Sequence, residues 1–182
     1  MRILALDMAT RTGWAVSFNP GEPIQSGGKV YMNGKRTLCL EERLCQFRQD
    51  LTVLLDTYMP DVACYEIAHH RGGPATRSGI GMETVLIMES YMRAVPCLGV
   101  HSLSLKKFCT GSGKSVKTAG GVTDKSPMMN HASKLAGRRI TDDNEADAIC
   151  ITDWGNGNVV MNEFGRVSLA NNVTKTNRKG RK

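Results

Sequence analysis

Aromatic residues are scarce, at 5% of the chain, and none of the six cysteines falls in a CxxC pair. No apolar run reaches the ~18 residues that a membrane-spanning helix needs. These absences argue against a membrane span, a zinc ribbon and a disulfide framework. Cys39, Cys45, Cys64, Cys97, Cys109 and Cys150 instead read as buried, reduced thiols. Met1 to Leu6 is too short and too quickly followed by an acid, Asp7, to read as a signal peptide. The cytosol is the expected location. With 41% hydrophobic residues over 182 positions, the chain can bury one sizeable core. The expected organisation is one domain over 1–170 and a disordered basic tail over 171–182.

Acids are also unevenly missing. Residues 1–100 hold ten basic and ten acidic side chains. Residues 101–139 hold eight basic residues and only Asp124 as an acid, and 171–182 hold five basic residues and no acid. Between these basic segments lies an acidic one, with six acids against Arg166 over 140–170. A polyanionic partner suits the basic segments, and a divalent cation would reconcile it with the acidic one. A solvated basic surface is the plainer alternative.

Hydrophobic patterning predicts a mixed α/β domain around a central sheet. Arg2–Leu6, Gly13–Val16 and Gly27–Tyr31 read as three strands, with a hairpin connection over Asn19–Gly28. Leu40, Leu44, Phe47, Leu51, Leu54, Leu55 and Tyr58 recur at helical spacing and predict a helix over 40–58. Val62–Ile67 and Pro96–Val100 read as strands. Gly79–Val95 reads as a helix whose methionines fill a core or an interface. His101–Phe108 and Ser126–Ala136 read as helices, the latter with Pro127 in its first turn. Thr110–Thr123 reads as a loop. Asp142 or Asp143 caps a last helix that runs through Trp154.

Three acids stand where structure does not need them. Asp7 and Glu66 each close a strand, and Asp147 lies between Ala146 and Ala148 on the inner side of the last helix. A carboxylate in such a place must be hydrated, paired or bound to a cation. Strand ends at one sheet edge, facing a helix, can bring the three together. Mg²⁺ and Mn²⁺ prefer oxygen ligands and suit such a set. Two ions about 4 Å apart can activate a water and stabilise the leaving oxygen of a phosphodiester. Asn144 and Asp143 precede Asp147 by three and four residues and share its helix face. Either can be the fourth ligand, and Asp143 is alternatively a cap.

These segments together resemble the RuvC-type Holliday-junction resolvases of the ribonuclease H-like superfamily. ILALDMATRTGWAV at 3–16 resembles the family's first strand and turn. VACYEIAHH at 62–70 resembles the strand carrying its catalytic Glu, and DNEADAICI at 143–151 resembles its last helix. LKKFCTGSGKS at 105–115 and DKSPMM at 124–129 resemble its lysine-bearing DNA-contact segment. The likeness spans roughly residues 1–155, and the short chain with a basic tail is more similar to bacteriophage members than to cellular ones. It implies a ribonuclease H-like five-stranded mixed sheet flanked by helices, in the host cytoplasm if the protein is viral. It implies Asp7, Glu66 and Asp147 as metal-binding catalytic acids, with Asn144 where the family has a fourth acid and Asp143 as its substitute. It also implies His69 in the place of an aromatic residue that stacks at the junction. The partners implied are branched DNA (four-way junctions, forks and flaps) and a second copy of the chain. The helices at 40–58 and 79–95 are the candidate dimer surfaces.

GSGKS at 111–115 is not a phosphate loop, because the Walker pattern wants a glycine where Phe108 stands. Lys114, Lys117 and Lys125 read instead as DNA contacts near or on a loop. Lys106 and Lys107, on a more rigid element, are better placed to position the scissile phosphate. Three rival readings remain at this point. An ATPase of the actin and sugar-kinase class shares the Asp-led first turn but needs a longer chain. A protein that binds branched nucleic acid without cutting it would explain Asn144. A nuclease of the same fold could act on RNA.

Overall fold

The structure is a computed structural model, and it describes residues 1–19, 21–33, 36–68, 72–112, 124–163 and 165–170. His69, Lys114, Lys117 and the tail at 171–182 lie outside the described residues.

A five-stranded mixed sheet forms the centre. Its strands are β1 (Ile3–Asp7), β2 (Arg11–Ser17), β3 (Gln25–Val30), β6 (Val62–Glu66) and β7 (Cys97–Val100), in the order β3-β2-β1-β6-β7. β1, β2 and β3 pair antiparallel, whereas β6 runs parallel to β1 and β7 parallel to β6. Two small hairpins add β4 (Met32–Asn33) with β5 (Arg36–Thr37), and β8 (Val159–Met161) with β9 (Val167–Leu169). The helices are α1 (Leu40–Tyr58), α2 (Gly73–Met92), α3 (Ser102–Thr110), α4 (Ser126–Ala136) and α5 (Asp143–Asn158).

The central strands β1 and β6 are buried on both faces, which explains why they read as continuous apolar runs, whereas β3 at the edge is largely exposed. Side chains alternate between the faces. Leu4, Leu6, Ala63 and Tyr65 pack with Phe47, Leu51 and Leu55 of α1 and Met82 and Leu86 of α2. Ile3, Ala5, Val62 and Cys64 pack on the other face with Ala146, Ile149 and Cys150 of α5 and Met128 and Ala132 of α4. The same alternation assigns Asp7 and Glu66, at the ends of β1 and β6, to the α5 face.

Several boundaries differ from the sequence reading. α2 begins at Gly73, six residues before the expected Gly79, and ends at Met92 rather than Val95. Gly72, Gly73, Pro74, Gly79 and Gly81 look like helix breakers, but Pro74 is tolerated in the first turn. The small residues let the helix approach its neighbours. A methyl group on Gly81 would lie 3.1 Å from Leu44 Cδ1, and one on Gly79 3.1 Å from Ala68 Cβ. α5 runs on past Trp154 to Asn158 for the same reason, since Gly155 packs against Ile3 and Cys64. β3 begins at Gln25, inside the expected hairpin connection. The reading of all six cysteines as buried is corrected at two positions. Cys64 and Cys150 are buried, but Cys39 and Cys45 are exposed at the start of α1, off its apolar stripe. No helix among the described residues is long and apolar enough to cross a membrane.

Candidate active site

The parallel register that sets Leu6 beside Tyr65 carries on to set Asp7 beside Glu66. Neighbouring strands are about 4.8 Å apart, so the two acids stand side by side at the C-terminal ends of two central strands. α5 crosses the face toward which both are assigned. Its approach depends on Gly13, the register partner of Asp7 on β2. A methyl group on Gly13 would fall 1.9 Å from the Asn144 carbonyl oxygen. Only a residue without a Cβ lets the first turn of α5 rest there.

The start of α5 is fixed from two further directions. Asp142 is the N-cap, and its Oδ1 accepts hydrogen bonds from the Asn144 and Glu145 backbone N–H groups at 3.0 and 3.1 Å. Its Oδ2 accepts one from Arg11 Nη1 at 2.5 Å, which ties the cap to β2. Glu145 accepts from Ser26 Oγ of β3 at 2.8 Å and pairs with Arg138. It therefore turns away from the acids, as helical geometry predicts. The turn after Asp7 is held by Thr12 Oγ1 donating to the Ala9 carbonyl at 2.9 Å and by Tyr31 N–H donating to the Thr10 carbonyl at 3.1 Å.

The acids perturb one another. Asp7 is pushed well above the ordinary carboxylate range by burial, then by the charges of Asp147 and Glu66. Asp147 is pushed up to about 6 by burial first and the Glu66 carboxylate second, while Lys125 and Lys106 pull it down. Lys125, the residue before α4, forms an ion pair with Asp143. Partial burial works against its ammonium form, but the carboxylates of Asp143, Asp147 and Asp7 outweigh that and raise its pKa. The Lys125 hydrogen bond holds Asp143 below its ordinary value.

Asp7, Glu66, Asp147, Asp143 and Lys125 thus form one electrostatic cluster, with Lys106 of α3 within its reach. Asp143 does not cap the helix; that part falls to Asp142. Asn144 lies one turn before Asp147, with its backbone against Gly13. Lys107 is exposed in the last turn of α3. Sequence reasoning missed the Lys125–Asp143 pair and the Gly13–Asn144 contact, because both join segments separated in the chain.

The donor set suits a hard divalent cation, since all of its charged ligands are oxygen. Neither the Asp7 nor the Asp147 carboxylate takes part in a hydrogen bond or ion pair among the described residues, so their mutual repulsion is answered chiefly by Lys125 and Lys106. Among the described residues no three His, Cys, Asp or Glu side chains are gathered closely enough to ligate one ion. The donors fit by chemistry and by placement on one face, and Lys125 is paired with one of the neighbouring acids, Asp143.

Comparison with solved structures identifies the architecture. RuvC of Thermus thermophilus superposes with a TM-score of 0.66 at 14% identity, covering 84% of this chain and 91% of that one. The same enzyme in complex with a Holliday junction substrate gives 0.67 at 11% identity, covering 84% and 90%. The chain has the ribonuclease H-like fold of RuvC. The yeast mitochondrial Holliday junction resolvase also superposes on this chain, with a TM-score of 0.55 at 15% identity, covering 82% of this chain and 75% of that one. No family model matches the sequence, and no curated protein does. The expected five-stranded mixed sheet flanked by helices is borne out.

Proposed function

We propose that this protein is a divalent-metal-dependent endonuclease that cleaves Holliday junctions and other branched DNA, including forks and flaps. The observation that carries this reading is the placement of Asp7 and Glu66 at neighbouring strand ends on the face that α5 covers, where burial and neighbouring carboxylates raise the pKa values of Asp7 and Asp147. Acids so placed destabilise the empty site and favour a cation in it. Asp7, Glu66 and Asp147 would hold Mg²⁺ or Mn²⁺, with Asn144 or Asp143 as a fourth ligand. Bound there, two such ions would supply Lewis acidity toward a phosphodiester and its attacking water.

The chain's own side chains have separable parts in this reading. Lys106 and Lys125 face the acids and orient the scissile phosphate. Lys107, Lys114 and Lys117 contact phosphates farther along the DNA, and His69 stacks at the branch. The tail adds affinity without reading bases. The protein acts as a homodimer, so that two sites cut two strands. Ile80, Ile87, Met88, Tyr91 and Met92 form an exposed stripe along α2, with Tyr91 84% exposed. An apolar stripe of that length on a helix suits a partner surface, and a second copy would cover it.

Asp7→Asn, Glu66→Gln and Asp147→Asn should each abolish cleavage while leaving junction binding largely intact. Cutting at the unsubstituted rate by any of the three would overturn the metal assignment. The second reading is a branched-DNA binder with little cleavage. It is favoured by Asn144 in place of an acid and by the Lys125–Asp143 pair, and Asn144→Asp should raise cleavage only if the first reading holds.

A further inference from the structure

Beyond the acidic edge, on the side of the sheet covered by α1 and α2, an open cleft of about 440 Å³ lies between the starts of those helices. Thr10 forms part of its wall. Thr10 belongs to the turn that leaves Asp7, and α2 follows the strand that ends at Glu66. The cleft therefore borders the same end of the sheet as the acids without containing any of them. Its charged lining is Arg43 and Arg77 against Glu41.

Arg43 is already fixed in place. Its Nη1 donates to Ser78 Oγ at 2.8 Å and its Nη2 to the Leu38 carbonyl at 3.1 Å. Each terminal nitrogen of a guanidinium has a second N–H, so a pre-positioned fork retains donors. Arg77 is exposed and bears on Glu41 by charge. The acids of α1 are engaged locally. Glu42 accepts the Cys39 backbone N–H at 3.0 Å, and Glu41 is held by its own backbone N–H and the Cys39 thiol. α2 is the opposite case, with Gly72 as an N-cap that offers no side chain and no acid in its first turn. Among the described residues no acid of its own first turn offsets the positive end of α2, which lies beside the two arginines.

We infer that this cleft seats a backbone phosphate of the DNA strand being cut, held by the guanidinium groups of Arg43 and Arg77. This rests on the branched-DNA reading above. A guanidinium locked in position matches a phosphate in two directions at once, which a mobile lysine does not. The volume accommodates a sugar–phosphate unit and is open enough for a continuous strand to pass. The site fixes where the strand lies relative to Asp7 and Glu66, and so selects which phosphodiester is cut.

The test is binding of a four-way junction in EDTA, which needs no cleavage. Arg77→Ala should weaken binding several-fold and reduce the salt slope by about 0.9, the loss of one phosphate contact. Arg77→Glu should weaken it further. Both should leave the melting temperature unchanged, since Arg77 is exposed. Junctions carrying a single neutral methylphosphonate locate the contact. At one position near the branch the modification should weaken the unsubstituted protein and cost Arg77→Ala nothing more. Arg43→Lys should mimic the effect at that same position. Unchanged affinity and slope in both Arg77 variants would overturn the subsite and leave the nuclease reading standing. Equal losses at every methylphosphonate position would also overturn it, by showing only long-range attraction. Failure of the unsubstituted protein to bind any DNA would overturn both.

Discussion

Replacing Asp147 by Asn should make the metal-free protein more stable, not less. In the folded chain its pKa stands at about 6 against an ordinary 3.8. At pH below 3.8 the group is neutral in both states and contributes nothing. Between 3.8 and 6 the unfolded chain loses the proton first, so stability falls as pH rises. Above 6 the loss is complete, and it amounts to about 3 kcal/mol. Asn removes that term while keeping the shape. For a domain of this size the gain corresponds to roughly 6–12 °C in melting temperature. The assay is thermal and urea unfolding in EDTA from pH 5 to 8. The variant should gain most at pH 8 and progressively less toward pH 5. Because Glu66 is the second cause of the shift, Glu66→Gln should shrink the gain from Asp147→Asn, a coupling that a double-mutant cycle reads directly. A gain independent of pH, or a loss of stability at pH 8, would refute the reasoning.

Gly13→Ala should destabilise the fold by about 3 kcal/mol or more in urea unfolding, because the new methyl meets backbone rather than a movable side chain. Asp142→Ala should cost about 1–2 kcal/mol by removing the α5 cap, with unfolding curves as the readout and Arg11→Ala giving a smaller loss. Met88→Glu with Tyr91→Glu should convert a dimer to a species of 19.9 kDa in sedimentation velocity; an unsubstituted protein already at that mass would remove the dimer from the account.

The acids were legible because each interrupts a pattern. Asp7 and Glu66 end apolar runs, and Asp147 breaks the buried succession from Ala146 to Ile151. Period-two alternation in β1 and β6 then puts the two strand-end acids on one face, which the packing of α5 explains. What escaped the sequence were contacts between distant segments. Gly13 read as an ordinary strand residue, since nothing local reveals that the backbone of Asn144 rests on it. Lys125 read as a DNA contact, yet its ammonium group sits among the acids and pairs with Asp143. Arg43 and Arg77 carried no signal, because their cleft exists only once α1 and α2 are packed. The start of α2 was hidden by glycines whose role is close packing rather than helix termination. His69, Lys114, Lys117 and the tail lie outside the described residues, so their expected parts rest on the sequence alone.

The central claim is that the acidic edge cuts branched DNA with the help of a divalent ion. Incubating the protein with end-labelled four-way junction, linear duplex and single-stranded DNA, with Mg²⁺ or with EDTA, tests it most directly. The account predicts paired incisions near the branch of the junction, only with Mg²⁺, and little cutting of the other two substrates. Junction binding without incision in Mg²⁺ or Mn²⁺, or incision that persists in EDTA, would contradict it.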